Sequence, residues 1–253
     1  MPELIVLGTA ASVPDAEHDT VGLALRGPGW AVPVDCGGSP LYKLARAGVE
    51  REWIQALVLT HRHADHLYGL PMLVQGLWLG GRRNPLPVYG PEETLEVAQE
   101  ILRIIRLTEM EDMFTLEWHP VPLREGRQVP VPGIEPVRIT ATPVLHGDVS
   151  TVALRFENEA TGRSIVYSAD TEPCPALARL AAGADILIHE ATGEERGHSS
   201  PRQAAEIARE AGVTQLVLIH YPIYGVDLEA WRAEAARFHG RVTLAHDGDV
   251  YPL

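Results

Sequence analysis

The stretch "LTHRHADHLYGLP", residues 59–71, carries His61, His63, Asp65 and His66 within six positions, directly after the apolar run "IQALVL". Imidazole and carboxylate together suit zinc and other first-row metals. Four such groups in one tight loop cannot all reach a single tetrahedral ion without strain. They can instead serve two ions side by side, an arrangement suited to hydrolysis. The same residue types recur where other apolar runs end: "RITATPVL" leads into His146, "SIVYSA" into Asp170, "DILI" into His189 and Glu190, and "QLVLI" into His220. Loops at strand ends can converge on one rim of a sheet and carry functional groups there, which makes these residues candidates for one shared site.

Positioning them calls for buried strands held by helices, and the chain has the means. Its 253 residues can bury a sizeable core, and one domain over residues 1–253 is expected. A content of 45% hydrophobic and 22% charged residues excludes a disordered chain. Strand-like runs recur, among them "LIVLG", "LPVYG", "TVALRFE", "SIVYSAD" and "QLVLIHY". Helical patterns lie between some of them. In "EETLEVAQEILRIIRL", Leu95, Ala98, Ile101, Leu102 and Ile105 share one helical face. In "SSPRQAAEIAREAG", Ser199 or Ser200 can cap a helix, Pro201 suits its first turn and Gly212 can end it. The proline-rich "HPVPLREGRQVPVPGIEP" reads as loop and edge strand. The class is mixed α/β.

Charge and composition narrow the functions. The net charge of −13 argues against a broad basic surface for nucleic acid, while bound divalent ions would dominate the field of a local pocket. No apolar run approaches the roughly 20 residues of a membrane span. The N-terminal "MPELIVLGTAASVP" carries an acid and no base, which suits a first strand better than a secretory signal. Cys36 and Cys174 form no CxxC pair, so neither a disulfide framework nor a thiolate zinc site is expected, and a cytoplasmic location is.

The run His61-Arg-His63-Ala-Asp65-His66 resembles the HxHxDH signature of the metallo-β-lactamase superfamily, and His146, Asp170 and His220 complete its ligand set in order. The resemblance implies a four-layer αββα sandwich with two divalent metal ions along one edge, zinc first and manganese or iron as alternatives. It assigns His61, His63 and His146 to one ion and Asp65, His66 and His220 to the other, with Asp170 bridging. "LGTAASVPD", "VDCGGSPLYKLARAGV", "YSADTEP" and "LIHEATGEERGHSS" look like successive blocks of the ribonuclease Z branch, which cuts the 3′ trailer from precursor tRNA. That narrower resemblance implies a homodimer, an anionic ester substrate such as tRNA, and a coupled Glu190 and His198 that assist protonation of the leaving oxygen. Asp65 is expected to orient the attacking water.

Two features depart from the branch. The interval between His146 and Asp170 holds two strands and a turn where tRNA-processing members commonly insert a basic arm. After "SVP" the chain reads "DAEHDT" in place of an Arg-Asn pair. The leading expectation is therefore a phosphodiesterase related to ribonuclease Z. A hydrolase of small sulfate, carboxylate or cyclic phosphate esters is the alternative, and a non-hydrolytic di-metal protein the third. His189 is read as structural or as a support behind the ligands, since adjacent strand residues point to opposite faces. Asp247, Asp249 or His246 could accept an N–H from a ligating histidine. The glycines of "DCGGS" and "LGTAAS" suit tight turns and close backbone approach. Arg82 and Arg83 read as solvated loop, and Trp78 and Leu79 as packing or a dimer face.

Overall fold

Ile165, Val166 and Tyr167 are buried in succession, as are Leu216 to Ile219. Strands that are apolar on both faces need cover on both sides. The computed structural model, which describes residues 1–253, supplies that cover in four layers. The first half of the chain forms β1 (Glu3–Gly8), β2 (Gly22–Gly27), β3 (Trp30–Val34), β4 (Leu57–Val58), β5 (Leu86–Gly90) and β6 (Leu116–Pro120). The second half forms β7 (Arg127–Val129), β8 (Val137–His146), β9 (Val149–Asn158), β10 (Ser164–Tyr167), β11 (Ile186–Glu190), β12 (Gln215–Ile219) and β13 (Val242–Leu244), and the chain closes with β14 (Val250–Pro252). These make two seven-stranded sheets, β14-β1-β2-β3-β4-β5-β6 and β13-β12-β11-β10-β9-β8-β7. The proline-rich passage takes in the end of β6 and the whole of β7, the edge strands of the two sheets. There proline's missing donor costs least.

Three apolar cores separate the four layers. Between the sheets lies the largest, which takes Leu4 and Val6, Leu23 and Leu25, Phe156, Ile165 and Tyr167, and Ile186 and Ile188. The intervening residues face outward: Ile5 and Ala24 join a second core, and Val166, Leu187, Leu216 and Leu218 a third. The second core lies under α1 (Pro40–Arg46), α3 (Leu70–Leu79) and α4 (Glu92–Ile104); the third lies under α5 (Pro175–Leu180), α6 (Pro201–Glu210) and α7 (Leu228–Ala235). Leu95, Ala98 and Leu102 bury the inner face of α4, but Ile105 falls just past its end and is half exposed. Helix α6 starts at Ser200, whose side chain accepts from Gln203 N while Gln203 reaches back, a capping box. Gly212 follows that helix at φ +67°.

Strands β3, β4, β5 and β6 run parallel, as do β10 to β13. Their C-terminal ends therefore gather on one rim, where open α/β sheets place their sites. Strand β8 reaches that rim through a two-residue turn, with His146 paired to Val149 and Gly147 at φ +55°. The interval from there to Asp170 is β9, a short turn and β10. No helix is long and apolar enough to cross a membrane.

Candidate metal centre

The rim is built from six chain segments. After β4, Thr60 leads into His61 and His63, and the one-turn helix α2 (Ala64–Leu67) carries Asp65 and His66. That loop lies against "DCGGS": a Cβ on Gly37 would come within 2.1 Å of the Asp65 carbonyl oxygen, so only glycine allows the approach. His146 ends β8, Asp170 follows β10, and His220 follows β12. Glu190 closes β11 and His198 lies in the loop beyond it.

These side chains meet. One ligand atom each from His61, His63, His146 and Asp170 lie within 4.8 Å of one another, and the same holds for Asp65, His66 and His220. Asp170 lies between the two groups, with Oδ2 3.7 Å from His61 Nε2 and Oδ1 3.5 Å from His66 Nε2. Its Oδ2 is also 3.5 Å from His220 Nε2. Four of the rings have their outward nitrogen occupied. His66 Nδ1 donates to Asp35 Oδ2 at 2.8 Å and His146 Nδ1 to the Gly197 carbonyl at 2.6 Å. His61 Nδ1 lies 3.1 Å from Thr60 Oγ1, and His220 Nδ1 2.8 Å from Thr192 Oγ1. Such partners fix a ligating ring's tautomer and orientation. The inward Nε2 lone pairs are left facing the centre, and His63 turns its Nδ1 the same way, 2.9 Å from His146 Nε2.

Whether this rim fits a metal can be judged from atoms that otherwise have no explanation. His61 Nε2, His66 Nε2 and Asp170 Oδ1 are fully buried without a hydrogen-bond partner, and all three belong to this cluster. A buried polar atom left unsatisfied costs about 1–3 kcal/mol, and a cation between them removes the cost. The electrostatics agree. Burial, then His66, presses the His61 imidazole well below its ordinary range, which leaves its lone pair free. Burial opposes charge on Asp170 and Asp65 as well, yet the surrounding histidines outweigh it and hold both carboxyls below the usual range. At His66 burial again opposes charge, but Asp170 and Asp35 overcome it, so positive charge is favoured at that position. The donor set fits a pair of divalent ions.

Glu190 is fully buried and accepts three backbone N–H groups, from Thr171 (3.3 Å), Ser199 (2.7 Å) and Thr192 (2.8 Å). His198 Nδ1 lies 3.3 Å from Glu190 Oε1, within ion-pair range but without hydrogen-bond alignment. Its ring stacks on His220 with centroids 5.9 Å apart. Burial disfavours a charged His198, but Glu190 and Asp170 more than offset it, so the ring holds its proton above the ordinary imidazole range. Ser12 Oγ donates to Asp65 Oδ2 at 3.0 Å. Three of the five non-glycine residues with positive φ sit here: Asp35, Ala169 and His220. Such backbone costs of order 1–3 kcal/mol each and collects at functional sites.

His189 is buried, bonds its Nδ1 to the Glu190 carbonyl at 2.7 Å and stands outside the cluster. Asp247, a candidate partner for a ligating histidine, instead accepts from Thr9 and the Asp19 amide. Asp249 and His246 pair with each other. The carboxylate that does this work is Asp35, which stands outside the candidates drawn from the sequence. It also accepts from Thr60 N at 2.8 Å, so it steadies both His66 and the start of the His61 loop. Arg82 is half-buried rather than solvated, donating to the carbonyls of Ile54, Asn84 and Pro85.

The sequence model of the β-lactamase superfamily domain matches residues 31–221. Fold and site together define a metal-dependent hydrolase that binds divalent metal. Among individual proteins, the chain is 35% identical to ribonuclease Z of Mycolicibacterium gilvum, over 98% of this chain and 94% of that one. It is 30% identical to ribonuclease Z of Methanothermobacter thermautotrophicus, over 87% and 86%. Among solved structures, the metallo-β-lactamase fold protein YhfI from Bacillus subtilis superposes with a TM-score of 0.82 at 26% identity, covering 99% of this chain and 98% of the other. Human tRNase Z, short form, shares the fold with a TM-score of 0.79 at 24% identity and full coverage of both chains. The chain belongs to the ribonuclease Z family of the metallo-β-lactamase superfamily.

Proposed function

We propose that the protein is a two-metal phosphodiesterase, zinc being the resident ion. His61, His63 and His146 would hold one ion, Asp65, His66 and His220 the other, and Asp170 both. The observation that carries this reading is the convergence of seven donors from both halves of the chain, three of whose atoms, His61 Nε2, His66 Nε2 and Asp170 Oδ1, are buried with no other partner. Bound there, divalent ions would make water acidic near neutral pH and neutralise charge growing on a phosphoryl group.

The chain's own groups do the rest. Asp65, steadied by Ser12, and Asp170 orient the attacking water and draw off its proton. The water oxygen bonds to phosphorus as the bond from phosphorus to the leaving oxygen breaks. His198 gives that oxygen a proton from Nε2, while Glu190 beside Nδ1 keeps the ring charged and turned toward the cleft. The ribonuclease Z relatives put the 3′ end of precursor tRNA among the substrates to be tested. The proposal includes a cytoplasmic homodimer, for which Met72 and Leu79, exposed on α3, offer an apolar contact face; sedimentation tests it.

Asp65→Ala or His63→Ala should remove nearly all hydrolysis of bis-p-nitrophenyl phosphate while circular dichroism shows an intact fold. Elemental analysis should find zinc in the wild type and less of it in either variant. Undiminished metal-dependent hydrolysis in both variants would refute the assignment.

A further inference from the structure

Beside the "DCGGS" turn, the segments next to the centre are residues 11–19, 61–66, 145–149, 168–173, 191–199 and 220–226. Apart from the groups already placed in the site, their charges are lopsided. Asp15, Glu17 and Asp19 lie on the first segment, where they line a cavity shared with Lys43 and Arg46 and Asp19 pairs with Lys43 at 3.3 Å; Glu194 and Glu195 lie on the fifth, with Asp148 and Glu172 between. The only arginines are Arg62 and Arg196, and each is taken: Arg62 pairs with Glu93 on α4, and Arg196 with Asp148. No free guanidinium or ammonium remains on these segments to meet a second phosphate. What they do expose is apolar: Val13, Leu145 and Tyr224 are each more than half exposed.

We propose that this mouth selects small phosphodiesters bearing a single negative charge and uncharged, preferably aromatic, substituents, and repels polyanionic RNA. The inference rests on the two-metal phosphodiesterase reading and names its substrate class. One anionic group can be drawn to the metal pair, because the field there is set by the ions. A further phosphate of a nucleic acid would meet Glu194 and Glu195, which no cation pairs. At physiological salt the screening length is about 8 Å, so the repulsion acts over the width of a loop and weakens as salt is added. The sign of the salt response therefore separates this site from a nucleic-acid-steering one, whose affinity falls with salt.

The test uses the metal-loaded protein, with kcat/KM measured for bis-p-nitrophenyl phosphate and for a 3′-extended tRNA from about 0.01 M to about 1 M salt, over which the screening length falls from about 30 Å to about 3 Å. The expected result is efficient small-ester hydrolysis that hardly changes, with RNA cleavage slow at low salt and faster as salt rises. RNA cleavage that is fastest at low salt and declines with added salt would overturn the proposal. No hydrolysis of either substrate would overturn the phosphodiesterase reading, and this proposal with it. A second readout needs no turnover. Binding of a fluorescent 3′-extended RNA hairpin to the metal-free protein, followed by anisotropy, should tighten about tenfold or more in Asp15→Arg/Glu194→Arg/Glu195→Arg, on the scale of electrostatic steering. Equal affinity in that variant and the wild type would remove these loops from any role in selection.

Discussion

The two halves of the molecule contribute to the centre in different ways. The first half delivers His61, His63, Asp65 and His66 from one loop, and a single carboxylate, Asp35, steadies both ends of it. The second half delivers His146, Asp170, Glu190 and His220 from the ends of separate strands, and three of them are held by different groups: Gly197 for His146, the Thr192 hydroxyl for His220, three amides for Glu190. One half concentrates its geometry in a local motif with a shared brace. The other spreads it over strand register, with a different group bracing each side chain. Damage to a brace should therefore spread further in the first half than in the second.

The largest expected effect probes what joins the halves. If the ions are shared ligands, chelation should lower the melting temperature, and added zinc should restore it. A metal held at a thousand times its dissociation constant contributes about 4 kcal/mol of apparent stability. An unchanged melting temperature would mean that the halves do not meet through metal. Next, Asp35→Ala should weaken metal affinity about 10–100-fold, the usual range for removing a ligand's supporting partner. It should perturb both ions, since it loosens His66 and the His61 loop together; metal titration reads this directly. Thr192→Val removes the two hydroxyl contacts to one ligand, His220, and should cost about tenfold at most, on the second ion alone. Equal losses in these two variants would erase the contrast between a shared brace and separate ones. The smallest effect is a control: Ser200→Ala removes the α6 cap and should cost about 1 kcal/mol of unfolding free energy, with metal affinity unchanged.

The same contrast explains what could be read in advance. The loop of residues 61–66 is legible because its residues adjoin in sequence. The later histidines and Asp170 are legible because each ends an apolar run long enough to register as a strand. Strands β2 and β3 are harder to read: Gly22 and Gly27 bound the one and Pro33 interrupts the other, and pairing in the sheet, antiparallel to neighbours and for β3 also parallel to β4, makes them strands. Helix α3 is harder to read because its exposed Met72 and Leu79 blur the stripe formed by Leu70, Leu73, Val74 and Leu77. Ile105 kept the helical spacing but lies where the helix has already ended. Asp35 carried a usable signal, since it ends the run "WAVPV" as Asp170 ends "SIVYSA". Its role depends on β3 lying beside β4, with Val34 opposite Val58, which spacing along the chain does not convey.

The inter-sheet core has a consequence for how the molecule could be cut. Its wall is half Leu4, Leu23 and Val32 from the first sheet and half Ile139, Phe156 and Ile188 from the second, so neither sheet alone can dehydrate its inner face. The exposed Arg124 and Glu125, between β6 and β7, mark a seam at which the chain could be severed. Each fragment would hold an incomplete set of donors, and the C-terminal one would also carry β14, the strand that clasps β1. Reassociation of such fragments would rebuild apolar interior and ion site in one event, making metal uptake a direct gauge of complementation.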